Sequence, residues 1–140
     1  MQIHGSCASR GGAGVLVLGP AGSGKSDLVL RLLDRGFDLV ADDRVEIDQG
    51  MARAPASLAG LIEVRGLGVL RLPYVSEARL ALVVDVAARI ERLPAPGRHI
   101  ALDLPLVAIA PTAASAPQRV ALALDCALGR LDQVAGAFAA

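Results

Sequence analysis

From Gly19 to Ser26 the chain reads Gly19-Pro20-Ala21-Gly22-Ser23-Gly24-Lys25-Ser26, and this run limits the possible folds more than any other stretch. It fits the pattern G-x-x-x-x-G-K-[ST] position for position. Glycines at these places let the backbone take positive φ and turn successive N–H groups inward around an anion. A helix beginning at Lys25 adds the partial positive charge of its N-terminus. Lys25 then reaches the β- and γ-phosphates, and Ser26 offers a hydroxyl to Mg²⁺. The flanks suit such a loop: Val15-Leu16-Val17-Leu18 reads as a buried strand entering it, and Leu28, Leu32 and Leu33 give the leaving helix an apolar stripe. Lys25 is the only lysine in the chain, so its place in the motif does not come from a lysine-rich composition. The alternative is a glycine-rich strand-to-helix turn that binds nothing.

Composition narrows the rest. At 140 residues, 54% of them hydrophobic, the chain reads as a single domain, 1–140, with enough apolar material for a core. That core has to be aliphatic, since Phe37, Tyr74 and Phe138 are the only aromatic residues. Aromatic platforms for stacking bases are therefore missing, and a formal net charge of +0 gives no bulk attraction to nucleic acid or anionic lipid. The first residues lack a basic segment followed by an apolar one, and no apolar run approaches the ~20 residues of a spanning helix. The expectation is a cytoplasmic protein with neither a nucleic-acid nor a membrane partner. Cys7 and Cys126 stand far apart with no C-x-x-C pattern, which reads as two buried thiols.

The order of elements predicts an α/β phosphate-loop domain with a mixed sheet. Gln2–Ser9 and Val15–Leu18 flank Arg10-Gly11-Gly12-Ala13-Gly14, which reads as a hairpin feeding the loop and implies an antiparallel edge. The loop helix is expected over Lys25–Arg35, capped by Gly36. A short strand over Phe37–Ala41 ends in Asp42-Asp43-Arg44. Val45-Glu46-Ile47 reads as a strand, Asp48-Gln49-Gly50 as a turn, and Met51-Ala52-Arg53 follows it. Leu58–Val64 fits helix and strand equally. Val69–Leu72 extends briefly, and Arg79–Val86 has the continuous apolar character of a central strand. Ile100–Leu104 and Leu106–Ala110 read as two strands broken at Pro105. Ser115-Ala116-Pro117 opens a closing helix that runs to Leu131, and the tail after Asp132 is expected to fray.

A phosphate loop alone leaves binding, hydrolysis and transfer all open. Asp42 and Asp43 lie at a strand end, where α/β sheets open onto their ligands. One carboxylate there can take a proton from an incoming hydroxyl while the other helps to hold a metal; an exposed acidic turn neutralised by Arg44 is the structural alternative. Glu63, just before Arg65-Gly66-Leu67-Gly68, is a candidate Mg²⁺ ligand. Arg98, on the Pro96-Gly97 turn, is placed either to neutralise a transferring phosphoryl group or simply to face solvent. His4 and His99, the only histidines, sit beside these features.

Taken together, Ile3-His4-Gly5, Gly19–Ser26, Leu39-Val40-Ala41-Asp42-Asp43, Glu63-Val64-Arg65-Gly66-Leu67-Gly68 and Pro96-Gly97-Arg98 resemble the catalytic domain of HPr kinase/phosphorylase. The likeness covers most of the chain, and its specific parts are the Asp-Asp and Glu-Val-Arg-Gly-Leu-Gly segments rather than the loop. It implies transfer of a phosphoryl group from ATP or pyrophosphate, with Mg²⁺, to a serine of the phosphocarrier protein HPr, and reversal by phosphorolysis. It also implies homo-oligomers, typically hexamers. By the same resemblance Asp42 is the base in one direction and the acid in the other, with His4 and Asp43 as its neighbours. Ser26 and Glu63 correspond to the metal site, and Arg98 to the arginine that supports transfer. Members commonly carry a further N-terminal domain and a longer C-terminal segment, and the residues here resemble the shorter proteobacterial form. Asp27 stands where glutamate is usual, and His99 where asparagine is common. Two other readings fit the same residues: a kinase of a small hydroxyl metabolite, and a nucleotide sensor without catalysis.

Overall fold

The hydrophobic alternation of the strands builds a sheet with two covered faces, as a computed structural model describing residues 1–139 makes plain. Strands β1 (Gln2–His4), β2 (Ser6–Arg10) and β3 (Ala13–Leu18) lead to the glycine-rich loop and helix α1 (Lys25–Leu33). Strands β4 (Asp38–Ala41), β5 (Arg44–Asp48) and β6 (Met51–Arg53) follow, then a 3₁₀ turn over Ala56–Leu58. The hairpin of β7 (Leu61–Val64) and β8 (Gly68–Arg71) precedes β9 (Ala78–Asp85), β10 (Gly97–His99), β11 (Leu104–Ala108) and helix α2 (Ala116–Ala127).

Nine strands form one mixed sheet in which β9, β3, β2 and β4 lie side by side. β3 and β11 run parallel to β9, and β2 runs antiparallel to both its neighbours. The mixed sheet is as expected, but the antiparallel strand of the hairpin is not an edge: β2 is held between β3 and β4. β6 pairs with the start of β9 and β11 with its end, so two arms leave the same side of that central strand.

Side chains alternate between the faces. Val15, Val17, Leu39, Leu82 and Val84 pack under Leu28, Val29 and Leu32 of α1 and Val120 and Leu124 of α2. On the other face, Cys7, Leu16, Val40 and Val83 pack against Val45, Ile47 and Ala52, so the β5 and β6 arm covers the side away from the helices. Each fully buried aliphatic side chain contributes about 1.5–3 kcal/mol through removal from water, which lets this core do without large aromatics. Among the described residues, no helix is long and apolar enough to cross a membrane.

Several boundaries differ from the sequence reading. The strand expected over Gln2–Ser9 is two, because Gly5 donates its N–H to the carbonyl of Asp43 at 3.1 Å and hands the chain from β5 to β3. A β-carbon at Gly5 would lie 2.9 Å from the Val17 carbonyl oxygen, so the crossing needs glycine. Helix α1 stops at Leu33, although Gly36 takes the left-handed conformation expected of it, at φ 82°. The undecided Leu58–Val64 stretch divides into the end of the 3₁₀ turn and β7, which pairs only with β8 in a separate two-stranded sheet. The two strands expected around Pro105 are displaced: Ile100–Asp103 is a turn, and Pro105 lies within β11, one residue before the pairing with β9 begins at Leu106. There the missing N–H leaves the inner ladder intact. Helix α2 ends at Ala127, followed by Gly129 at φ 72°, and Ser115 makes no side-chain cap because its hydroxyl accepts from Arg119 at 2.9 Å. The tail up to Ala139 folds back instead of fraying: Phe138 packs on the helix-side core, and its N–H donates to Gln133 at 2.6 Å.

Candidate active site

The loop after β3 has the backbone its glycines predict. Gly22 sits at φ 77° and Gly24 at φ 101°, the latter as the N-cap of α1 with no side chain to occupy the first helical amides. Gly19 is required for a different reason: a β-carbon there would fall 2.6 Å from Ser23 Oγ and 2.7 Å from Val86. Ser23 Oγ is itself buried with no hydrogen-bond partner. Lys25, only 7% exposed, folds over the loop and donates to the carbonyls of Gly19 at 2.8 Å and Pro20 at 2.9 Å.

Facing the loop, the Asp42-Asp43 pair is split by a turn. Asp43 takes φ 69°, and the N–H of Arg44 closes back on the Asp42 carbonyl at 2.8 Å. Asp43 is thereby sent outward, where His4 Nδ1 lies 3.7 Å and Arg44 Nε 3.9 Å from its carboxylate. Asp42 is sent inward, to 4% exposure, against Ser26: the Ser26 hydroxyl reaches Oδ1 at 2.8 Å and Oδ2 at 2.9 Å. Ser6 Oγ donates to Oδ1 at 2.7 Å, and the backbone N–H of Glu63 to Oδ2 at 3.2 Å. A solvent-facing carboxylate on an acidic turn and a buried, hydrogen-bonded one thus stand at adjacent positions. A cleft of about 280 Å³ joins the loop to this carboxylate, with Lys25, Ser26, Asp42, Asp43, His4 and Glu63 on its walls.

Residues 1–75 match the family described as HPr Serine kinase C-terminal domain. The chain belongs to that family. Among curated relatives, the HPr kinase/phosphorylase of Aromatoleum aromaticum is 35% identical over 148 aligned positions, covering 91% of this chain and 47% of the relative. That of Caldanaerobacter subterraneus is 40% identical over 99 residues, 65% of this chain and 32% of the relative. The chain therefore spans less than half the length of these relatives. A solved structure, the Hpr(Ser) kinase/phosphatase from Coxiella burnetii, superposes with a TM-score of 0.74 over 92% of both chains at 24% identity, a likeness of fold.

The matched stretch holds every cleft residue named above, and Arg98 lies outside it. Of the residues predicted to be catalytic or to hold metal, Arg98 is the one that does not line the cleft, and the loop residues Gly19, Pro20, Ser23 and Gly24 lie behind its walls. Arg98 sits on β10, half exposed, with Nε 3.1 Å from the Asp103 carboxylate and Nη2 donating to the Asp103 carbonyl at 2.6 Å. His99 closes the same turn, its Nδ1 accepting the N–H of Leu102 at 3.2 Å. Asp27 faces outward on α1, 3.2 Å from Arg31. Arg31 in turn donates to the carbonyls of Pro111 and Ala113, tying the loop helix to the segment before α2. Neither thiol lines the cleft: burial pushes Cys7 up to about 12, and Cys126 is raised by burial and by Asp125 and Asp132.

Sequence reasoning missed Ser6. The only signal for it is spacing, two positions beyond His4 in what reads as one strand, which puts both side chains on one face.

Proposed function

We propose that this domain transfers a phosphoryl group from ATP or pyrophosphate to a serine of the phosphocarrier protein HPr, and reverses the transfer by phosphorolysis to give pyrophosphate. The observation that carries the reading is the buried Asp42 carboxylate, within hydrogen-bond reach of the loop residue Ser26 at 2.8 Å. A carboxylate beside the loop serine can serve a bound metal as well as a proton, and membership of the HPr serine kinase family favours transfer, which needs a base for the incoming hydroxyl.

The residues present fit a polyphosphate and a hard cation. Positive φ at Gly22 and Gly24 and the unpartnered Ser23 hydroxyl belong to an anion cradle. For a metal, the donors at hand are the Ser26 hydroxyl and the Glu63 carboxylate, oxygen ligands of the kind Mg²⁺ takes when phosphates and water complete its shell. Bound Mg²⁺ would neutralise charge building on the phosphate oxygens. Lys25 exchanges its two loop carbonyls for phosphate oxygens as the substrate enters. Asp42 takes the proton of the attacking serine, and in phosphorolysis returns it to the leaving serine oxygen. Asp43 and His4 hold the outer wall of the cleft, where the acceptor protein must arrive. Arg98 supports transfer only if its β10 turn leaves Asp103. We further propose that residues 1–140 act as one catalytic unit within a homo-oligomer, a hexamer by resemblance.

The test is incubation of the purified domain with Mg²⁺, ATP and HPr, then of serine-phosphorylated HPr with inorganic phosphate. Phosphoserine in the first reaction and pyrophosphate in the second are expected. Unmodified HPr in the presence of bound ATP would discard the acceptor and favour a small-molecule hydroxyl or a sensor.

A further inference from the structure

We propose that Ser6 is a positioning residue for Asp42, fixing which oxygen of that carboxylate exchanges the proton; the inference rests on the phosphotransfer reading above. Ser6 is 1% exposed, yet its hydroxyl meets the cleft and donates to Asp42 Oδ1 at 2.7 Å. The single Ser26 hydrogen is shared between Oδ1 at 2.8 Å and Oδ2 at 2.9 Å, and the Glu63 N–H reaches Oδ2 at a longer 3.2 Å. A carboxylate offers about four acceptor sites, two on each oxygen. When Ser26 gives its one hydrogen to Oδ1, the nearer oxygen, Oδ1 holds two short hydroxyl contacts and Oδ2 only the longer Glu63 N–H, so Oδ2 is the oxygen with capacity left for a proton.

Ser6 and Ser26 differ in what else claims them. Ser26 belongs to the phosphate loop and answers to whatever that loop binds. Ser6 stands on a strand paired on both sides, opposite Val17 on β3 and one residue before the Cys7 to Ala41 pairing with β4. Groups on sheet strands hold their geometry better than groups on loops, so Ser6 is the fixed point from which Asp42 is aimed.

The step it serves balances as follows. In the forward direction the acceptor serine O–H breaks, its proton goes to Oδ2, the serine oxygen bonds to the γ-phosphorus, and the bond from that phosphorus to ADP breaks. In reverse, an oxygen of inorganic phosphate bonds to the phosphoserine phosphorus, the bond to the serine oxygen breaks, and that oxygen takes the proton back from Oδ2 as pyrophosphate forms.

The experiment compares Ser6→Ala, Ser6→Cys and Ser6→Thr in the whole chain, with kcat and KM for ATP and HPr, melting temperatures, and crystal structures. Removing a group that orients a reacting one costs roughly 10–100-fold. Ser6→Ala and Ser6→Cys should lose kcat by that factor with KM changed by less than about twofold, while Ser6→Thr, which keeps the hydroxyl, stays near wild type. In crystals of Ser6→Ala the Asp42 carboxylate should be rotated away from its wild-type orientation. An unchanged kcat in Ser6→Ala, or a loss in Ser6→Thr as large as in Ser6→Ala at equal melting temperature, would overturn the proposal. Should the wild type bind ATP but leave HPr unmodified, the acceptor reading fails by itself, and the crystal structure still decides: a carboxylate that stays in place without the Ser6 hydroxyl overturns the positioning role.

Discussion

Asp42 and Asp43 share a side chain and a peptide bond but not an environment, so the same substitution should have different effects at the two sites. Asp42 is 4% exposed and takes hydrogen bonds from Ser6, Ser26 and Glu63, whereas Asp43 is exposed and meets His4 and Arg44 only at 3.7 and 3.9 Å. In Asp42→Asn the amide oxygen can still accept the Glu63 N–H, and the two hydroxyls can turn to accept from the new NH₂ group, so the fold should survive. The basic oxygen is gone. HPr phosphorylation is expected to fall by about 10²–10⁴-fold while ATP affinity holds, measured by steady-state kinetics beside calorimetric titration. Asn also tolerates the φ of 69° at Asp43, so Asp43→Asn should fold as well and lose less than about tenfold, long exposed contacts being weak. Equal losses at both positions would contradict the division of roles. At this scale the sequence was informative wherever spacing alone defines the chemistry. The eight residues from Gly19 to Ser26 reveal the loop, and the acid pair at a strand end reveals a carboxylate. It was silent about Ser6, because a serine earns its role only from the tertiary contact that brings it to Asp42, 36 positions away.

Helix α2 shows how far periodicity reaches at the scale of elements. Leu124 is fully buried on the helix-side core and Leu122 is 55% exposed, as two positions apart on a helix should be. Leu124→Ala is expected to cost about 2–5 kcal/mol and Leu122→Ala about 0.5 kcal/mol or less, read from urea midpoints. Similar costs would mean that the face of α2 has been assigned wrongly. Long, strongly patterned elements such as β3, β9 and α1 were legible because one or both faces meet a core. The β7 and β8 hairpin was legible only in part: the extended Val69–Leu72 overlaps β8 at Gly68–Arg71, but with all four residues of β8 exposed nothing in the sequence pointed to its pairing with β7. The β10 and β11 boundaries failed for the converse reason. Ile100 is apolar but 89% exposed in a turn, and Pro105 is accepted inside a strand because the pairing with β9 starts after it.

Cys7 reports on the molecule as a whole, since it lies where the central sheet meets the β5 and β6 arm, with no solvent exposure. Burial raises its thiol from an ordinary 9.0 to about 12, which ties its ionisation to global stability. The sign follows from proton counting. Between these two values the unfolded chain has lost the proton and the folded chain keeps it, so stability falls as pH rises through 9.0. One such group removes about 1.4 kcal/mol per pH unit once the unfolded thiol is largely ionised, so the unfolding free energy should be lower at pH 10 than at pH 8 by roughly that amount. Cys7→Ala should lose this slope while carrying a constant penalty for the smaller side chain. Cys126 supplies a weaker trend of the same sign, and it is near enough to the surface for a thiol reagent to reach it in the folded state. Labelling gives an independent check: under native conditions Cys126 should react first, and Cys7 only at the rate of global unfolding, accelerating with denaturant. If Cys7 reacted without denaturant as fast as Cys126, the β5 and β6 arm would be opening on its own. Because Asp42 follows the strand whose Ala41 pairs with Cys7, its buried carboxylate would then be held by a layer far less stable than the helix-side core.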